Sequence, residues 1–324
     1  MVRHSVIGLG LMTMMTLAGS APAQAQDFPS RTITIVVGLA AGGVTDVTTR
    51  QYAEAVSKNI GQSIVIENRP GAGGAVAATG VQNARADGYT LLMVVGSQFA
   101  SLPAINKTSY DPVSGFAPIT LLFRLPTLLV VPFDSPAKSV PDLLAFGKKK
   151  PGGLLMGSPG AGSPGHLLAA NISMGTDTPM QYVQYRGGAP VMADLITGRL
   201  DFSLASYNSA RSNMEGKKLR ALAVDADQRL PALPDIPTFI EVGLGKYRVA
   251  DWCGLLAPAA TPQAVIARLN QEFVKAARSP ELIKKLTDNG NLIASSTPEE
   301  MRQIVVKDVK GLEQLINKLG LAQK

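Results

Sequence analysis

Ile33 to Val37 is an unbroken run of β-branched residues that ends at Gly38, and beyond the Leu39-Ala40-Ala41-Gly42-Gly43 loop a helical stretch runs from Thr45 to about Lys58. This strand, glycine turn and helix recur. Residues 64–67 lead into the turn from Arg69 to Gly74 and a helix of small residues, and residues 90–95 lead into Gly96-Ser97. In the second half, strands are expected at 154–156, 180–184, 202–205 and 219–224, with helices at about 164–174, 189–197 and 208–216. Short apolar runs alternating with helical patterns specify parallel sheet with crossover helices, an α/β chain. After Trp252 the pattern changes. Residues 254–258 form one more strand, and 262–319 is mainly amphipathic helix, with Val265, Leu269, Phe273 and Ala276 at helical spacing beside Arg268, Glu272 and Lys275.

A length of 324 residues is about twice the ~150 expected of one domain, so two lobes are predicted. The single cysteine, Cys253, excludes a disulfide framework and any thiolate metal cluster, and two histidines, His4 and His166, are too few for a His-rich metal site. Arg3 and His4 precede an apolar run from Val6 to Ala18, and Ala23-Gln24-Ala25 follows. Residues 1–25 therefore read as a signal peptide, the run being too short for the ~20 residues that cross a bilayer. Export across the cytoplasmic membrane is the expectation. The formal charge of +7 comes from scattered lysines and arginines. The one run, Lys148-Lys149-Lys150, has no aromatic interleaving and reads as a solvated helix end, so no nucleic-acid partner is expected. A positive field suits a small acidic ligand.

Two glycine loops carry the chemistry. Gly160-Ala161-Gly162-Ser163-Pro164-Gly165 fits G-x-G-x-x-G between a strand and a helix, but residues 179–188 hold no acid to bind a ribose, which argues against a dinucleotide. Ser163 resembles a nucleophile elbow, yet no histidine follows His166, so a serine hydrolase is not expected. Gly42-Gly43-Val44-Thr45-Asp46 has no Gly-Lys-Ser/Thr and is no P-loop; Thr45 or Asp46 is placed to cap the following helix. What both loops offer is backbone N–H groups at a helix start, a setting for an anion. If they face each other across a cleft, they clamp one acidic ligand.

Further residues carry a family resemblance. Ala41-Gly42-Gly43-x-x-Asp46, Glu67-Asn68-Arg69-Pro70-Gly71-Ala72-Gly73-Gly74, Asp87-Gly88-Tyr89, Tyr110-Asp111-Pro112, Gly157-Ser158-x-Gly160-x-Gly162-Ser163-x-x-His166, Leu233-Pro234-Asp235-Ile236-Pro237-Thr238 and Trp252-x-Gly254-Leu255 occur in family order over essentially the whole mature chain. The chain resembles the Bug-type periplasmic solute receptors of tripartite tricarboxylate transport systems. The resemblance implies a type II periplasmic-binding-protein fold, two α/β lobes with a hinge and a ligand cleft between them. Lobe 1 is expected at 26–125 plus 250–324 and lobe 2 at 126–249, with crossings near Pro126 and Trp252. It also implies a non-catalytic monomer without metal or cofactor that captures a small carboxylate-bearing organic acid for membrane permease components. Presentation of that ligand to a sensor kinase is the alternative. Carried onto this chain, the ligand-binding positions are Ala41, Gly42, Gly43, Thr45 and Asp46 in the first loop and Ser158, Gly162, Ser163 and His166 in the second. Ser97, Tyr185, Arg186, Gly187 and Ala205 complete the pocket. Arg186, where the family often has lysine, and Ala205-Ser206 depart from the usual pattern at its variable end. The Glu67 to Gly74 motif reads as structural, its glycines permitting positive φ and close packing.

Overall fold

The strands form two separate sheets. The computed structural model describes residues 28–160, 162–185, 187–249 and 252–322; the expected signal peptide, together with Ala161, Arg186 and 250–251, lies outside them. One sheet contains β1 (Ile33–Val37), β2 (Ile64–Asn68), β3 (Thr90–Val95), β4 (Phe116–Arg124), β10 (Trp252–Pro258) and β11 (Leu292–Ile293), in the order β11-β4-β10-β3-β1-β2. The other contains β5 (Thr127–Pro132), β6 (Leu154–Ser158), β7 (Met180–Gln184), β8 (Phe202–Ser206) and β9 (Leu219–Asp225), in the order β7-β6-β8-β5-β9. The molecule is a two-lobed α/β protein of the type II periplasmic-binding-protein fold.

Each sheet is covered on both faces, which is why its central strands are continuous apolar runs. On the first, α1 (Val44–Ile60), α8 (Gln263–Ala277) and α9 (Pro280–Asp288) bury Ile33, Ile35, Tyr52, Phe123 and Phe273. On its other face α2 (Ala75–Gln82), α3 (Gly96–Ile105) and α10 (Pro298–Lys318) close over Val36, Leu92, Trp252 and Met301. In the second lobe α4 (Val140–Lys149) and α5 (Pro164–Thr176) pack on Val131, Met156 and Phe202. The opposite face is covered by α6 (Gly188–Ile196) and α7 (Tyr207–Glu215), over Val130, Leu195 and Ala221.

Residues 121–132 span the end of β4 and all of β5, and between Arg124 and Thr127 the chain leaves one sheet for the other. The registers show what this crossing does. In the first sheet Val37 pairs Asn68, Cys253 pairs Val95 and Trp252 pairs Arg124, so the carboxyl ends of β1, β2 and β3 share one edge with the crossing. In the second, Ser158 pairs Gln184, while Thr127 pairs both Ser206 and Asp225. The carboxyl ends of β6, β7, β8 and β9 thus lie at the edge where β5 begins. Both carboxyl edges meet at the crossings, the position where open α/β sheets bind ligands.

Trp252, at the end of the second crossing, is fully buried rather than poised in the cleft. Its indole N–H donates to Asp308 Oδ2 at 2.6 Å, and a Cβ on Gly96 would come within 2.1 Å of the ring. Burial pushes the Asp308 carboxyl up, against the opposing effect of that hydrogen bond.

Candidate functional site

The first loop is held from behind and open in front. Ala41, Gly42 and Gly43 are exposed, and a Cβ on Gly42 would meet nothing within 4 Å. Gly42 has φ +81°, a left-handed backbone that suits glycine. The N-cap of α1 is Gly43, with no side-chain cap, which corrects the expectation that Thr45 or Asp46 caps this helix. The backbone angles of Gly43 put both residues inside the first turn. Thr45 is buried and lines a small cavity with Leu39, Gly74 and Gln98. Asp46 is buried and reaches back to accept the Gly42 N–H at 2.9 Å.

Asp46 is the centre of a network. Its Oδ2 also accepts from Arg50 Nε at 3.1 Å, and its Oδ1 from the Asn68 amide at 2.9 Å. Asn68 donates to Leu39 O at 3.1 Å and accepts from Arg50 at 2.9 Å. Burial alone raises the Asp46 carboxyl, but the Arg50, Gly42 and Asn68 hydrogen bonds more than offset it, holding it below the ordinary carboxylate range. The carboxylate is therefore committed to loop support, and Arg50 neutralises it. The first N–H groups of α1, at Val44 and Thr45, have neither an intrahelical partner nor a side-chain cap. The Glu67 to Gly74 motif serves the same loop: Asn68 is its strut, and a Cβ on Gly38 would stand 2.8 Å from Gly74 Cα.

The second loop is closed on itself. Ser163 caps α5 by accepting the His166 N–H, and Pro164 at the first helical position has no N–H to offer. Ser158 is buried, donates to Gly160 O at 2.8 Å and lies 3.0 Å from the Ser163 hydroxyl. His166 is buried, its Nδ1 accepts the Gly162 N–H at 3.0 Å, and its ring meets Tyr182 edge-on at 4.7 Å. With Nδ1 accepting, the neutral ring carries its proton on Nε2. Burial lowers its pKa, favouring that neutral form. Gly162, φ +73°, lies against the first lobe, where a Cβ would come 2.3 Å from Ile105 Cδ1.

The remaining expected positions divide. The Tyr185 hydroxyl donates to Asp194 Oδ2 at 2.7 Å and is occupied. Gly187, φ +106°, is the N-cap of α6 without a side-chain cap, and neither it nor Gly188 has anything within 4 Å of a Cβ. At this edge of the second lobe the starts of α6, at Gly187, and α7, at Ser206, carry no side-chain cap, whereas that of α5 does. Ser97, in the first turn of α3, and Ala205, near the end of β8, are buried at the two facing edges. Arg186 lies outside the described residues. Residues that support the loops but were not anticipated are Arg50, Asn68 and Asp194, and Gly188 adds to the open start of α6; Ser163-Pro164, a capping residue followed by proline, was a readable sign that α5 caps itself. The basic run also needs correction: Lys150 is not merely solvated but pairs with Asp201 at 2.6 Å. Among the described residues no group of His, Cys, Asp and Glu could hold a metal, and no helix is long and apolar enough to cross a membrane.

Comparison with known proteins gives consistent matches. The family described as tripartite tricarboxylate transporter family receptor matches residues 48–321. The UPF0065 protein in the tcbD-tcbE intergenic region of Pseudomonas sp. (strain P51) is 34% identical over 308 residues, 95% of this chain and 92% of that protein. A Rhodopseudomonas palustris protein solved with adipate superposes with TM-score 0.80 at 32% identity, covering 91% of this chain and 99% of its own. MatC from the same organism, solved with malate, gives TM-score 0.75 at 31% identity, covering 89% and 100%.

Proposed function

This chain belongs to the tripartite tricarboxylate transporter receptor family, a family of solute-binding receptors and not of enzymes, and we propose that it captures a small organic acid between its lobes in the periplasm. Lobe 1 comprises 26–125 and 250–324, lobe 2 comprises 126–249, and residues 1–25 are removed on export. The observation that carries the reading is the uncapped start of α1 at Gly43, in an exposed loop on the edge that faces the second lobe. Backbone N–H groups and the helix dipole there favour a carboxylate. Across the cleft, the uncapped start of α6 at Gly187 and Gly188 offers the same chemistry to a second carboxylate. The adipate and malate bound by relatives each carry two carboxylates, which supports a dicarboxylate as the ligand class. The loaded receptor then hands its ligand to the membrane components of a tripartite tricarboxylate-type transporter.

Thermal shift with adipate and malate, against a neutral diol of equal length, tests the reading. A ligand at 100 times its Kd adds about 2.7 kcal/mol to the stability of the folded state. Stabilisation by a diacid but not by the diol is expected. No stabilisation across a broad panel of mono-, di- and tricarboxylic acids, on refolded ligand-free protein, defeats the proposal.

A further inference from the structure

One apolar cluster joins the lobes beside the second glycine loop. Leu167 of α5, in the second lobe, packs with Ala100 of α3 and with Leu312 and Ile316 of α10, all in the first; Leu167 and Ile316 are completely buried. Ile105, Val249 and Leu315 border the same cluster. Val249 belongs to the second crossing, and Ile105 is the residue against which Gly162 rests. An open groove of about 390 Å³ borders it, where Leu312 and Leu315 meet the charged Arg248, Lys307 and Lys318.

We infer that this cluster is a latch that sets ligand affinity from a distance, by holding α5, and with it the second loop, against the first lobe. The inference rests on the proposed hinged receptor. The sequence-adjacent chemistry explains the direction of the effect. His166, which fixes the second loop, and Leu167, which sits in the latch, are consecutive residues, so the arrangement that buries Leu167 also seats Gly162 on Ile105 and narrows the cleft. Opening the lobes exposes Leu167, Leu312 and Ile316 to water, which opposes opening in proportion to the apolar area uncovered. The apparent Kd is the intrinsic Kd divided by the fraction of molecules in the competent state. Leu167, Leu312 and Ile316 are in this sense positioning residues with no contact to the ligand.

The test combines small-angle scattering of the ligand-free full chain with calorimetric titration of adipate. Leu312→Ala is expected to enlarge the radius of gyration and to raise the Kd about tenfold, as a tenfold fall in the competent fraction requires. Leu312→Met, which refills the space, restores both. Ile105→Ala, at the edge of the cluster, gives a smaller change of the same sign and serves if Leu312→Ala fails to fold. A purely structural role lowers the melting temperature and leaves the scattering of folded protein unchanged. Folded Leu312→Ala and Ile105→Ala with wild-type dimensions and wild-type adipate affinity overturn the latch. If adipate does not bind the wild type at all, the scattering comparison still decides the latch, and the ligand assignment alone has failed.

Discussion

The turns into α1 and α5 have similar sequences and opposite hydrogen-bond economies. Both join a buried strand to a helix through glycines, and both place polar side chains within reach of the helix start. At α5 the hydroxyls of Ser158 and Ser163 and the ring of His166 satisfy the loop's own groups, and Pro164 has no donor. At α1 the polar side chains lie behind the loop. Asp46, Asn68 and Arg50 bond to one another and to Gly42 and Leu39, and none of them caps the helix. A glycine-rich turn before a helix thus does not by itself leave the N–H groups free for an anion. What decides is whether nearby side chains consume the N–H groups or leave them while fixing the backbone.

The comparison breaks most readily at Asp46. Asp46→Ala leaves the Gly42 N–H, the Arg50 guanidinium and one bond of the Asn68 amide without their acceptor. Hydrogen bonds to a charged group contribute roughly 1.5–3 kcal/mol each. Freeing Arg50 adds an attraction for an anion of about 1 kcal/mol at 4 Å in water, which is smaller. Urea unfolding is expected to show a loss of about 2–3 kcal/mol, and calorimetry a rise in Kd of about a hundredfold for the diacid. Unchanged affinity in a folded Asp46→Ala protein means that the loop needs no support from behind.

Next in size is Gly43→Val. A Cβ at Gly43 meets only Ala40 O, at 3.5 Å, so the fold accommodates it, while the branched side chain stands in front of the N–H groups. Valine is a poorer N-cap than glycine, a cost of up to about 1 kcal/mol. Losing one charge-assisted hydrogen bond raises Kd by about tenfold to a hundredfold. This variant therefore separates affinity from stability, whereas Asp46→Ala affects both.

How much of this was legible varies with the range of the interaction. The bounds of β1 and β3 follow from β-branched and apolar runs ended by glycine, and the Glu67 to Gly74 motif was readable as structural. The strut role of Asn68 was not, because its partners Leu39 and Asp46 are 29 and 22 residues away and meet it only when β1 and β2 pair. The resemblance placed a crossing near Pro126; that β4 and β5 on its two sides pair into different sheets depends on distant strands and is not written in the local pattern. At the helix starts, Ser163-Pro164, Ser279-Pro280 and Thr297-Pro298 share one cap-then-proline signature, and all three helices are capped by that Ser or Thr. The openness of α1 depended on the backbone angles of Gly43, which no residue pattern specifies.

On the second loop the expected effects are smaller and fall on stability first. Ser163→Ala removes the cap of α5 and one partner of Ser158, a loss of about 1 kcal/mol in urea unfolding. Its Kd should rise less than that of Gly43→Val. If it rises more, the second loop contacts the ligand through Ser163 and the contrast between the two turns fails.

The smallest effect is a pH dependence that orders the two loops. His166 accepts the Gly162 N–H only when neutral, and its pKa in the folded state is lowered by burial from the usual 6.5. A depressed folded pKa means that this contribution to stability is complete above about 6.5 and is lost as pH falls from there through the folded value. Asp46 has its carboxyl held below 3.8, so its network contributes above that value and fails only as pH falls through the lower folded one. Acidification should therefore loosen the second loop first, over a range in which the first is intact. Urea unfolding from pH 7.5 down to pH 3 is expected to show a step at mildly acidic pH. His166→Gln, whose side-chain carbonyl accepts the same N–H without titrating, should remove that step and leave the one near the carboxylate range. A step that persists in His166→Gln belongs to another group, and the histidine is then a packing residue rather than the support of its loop.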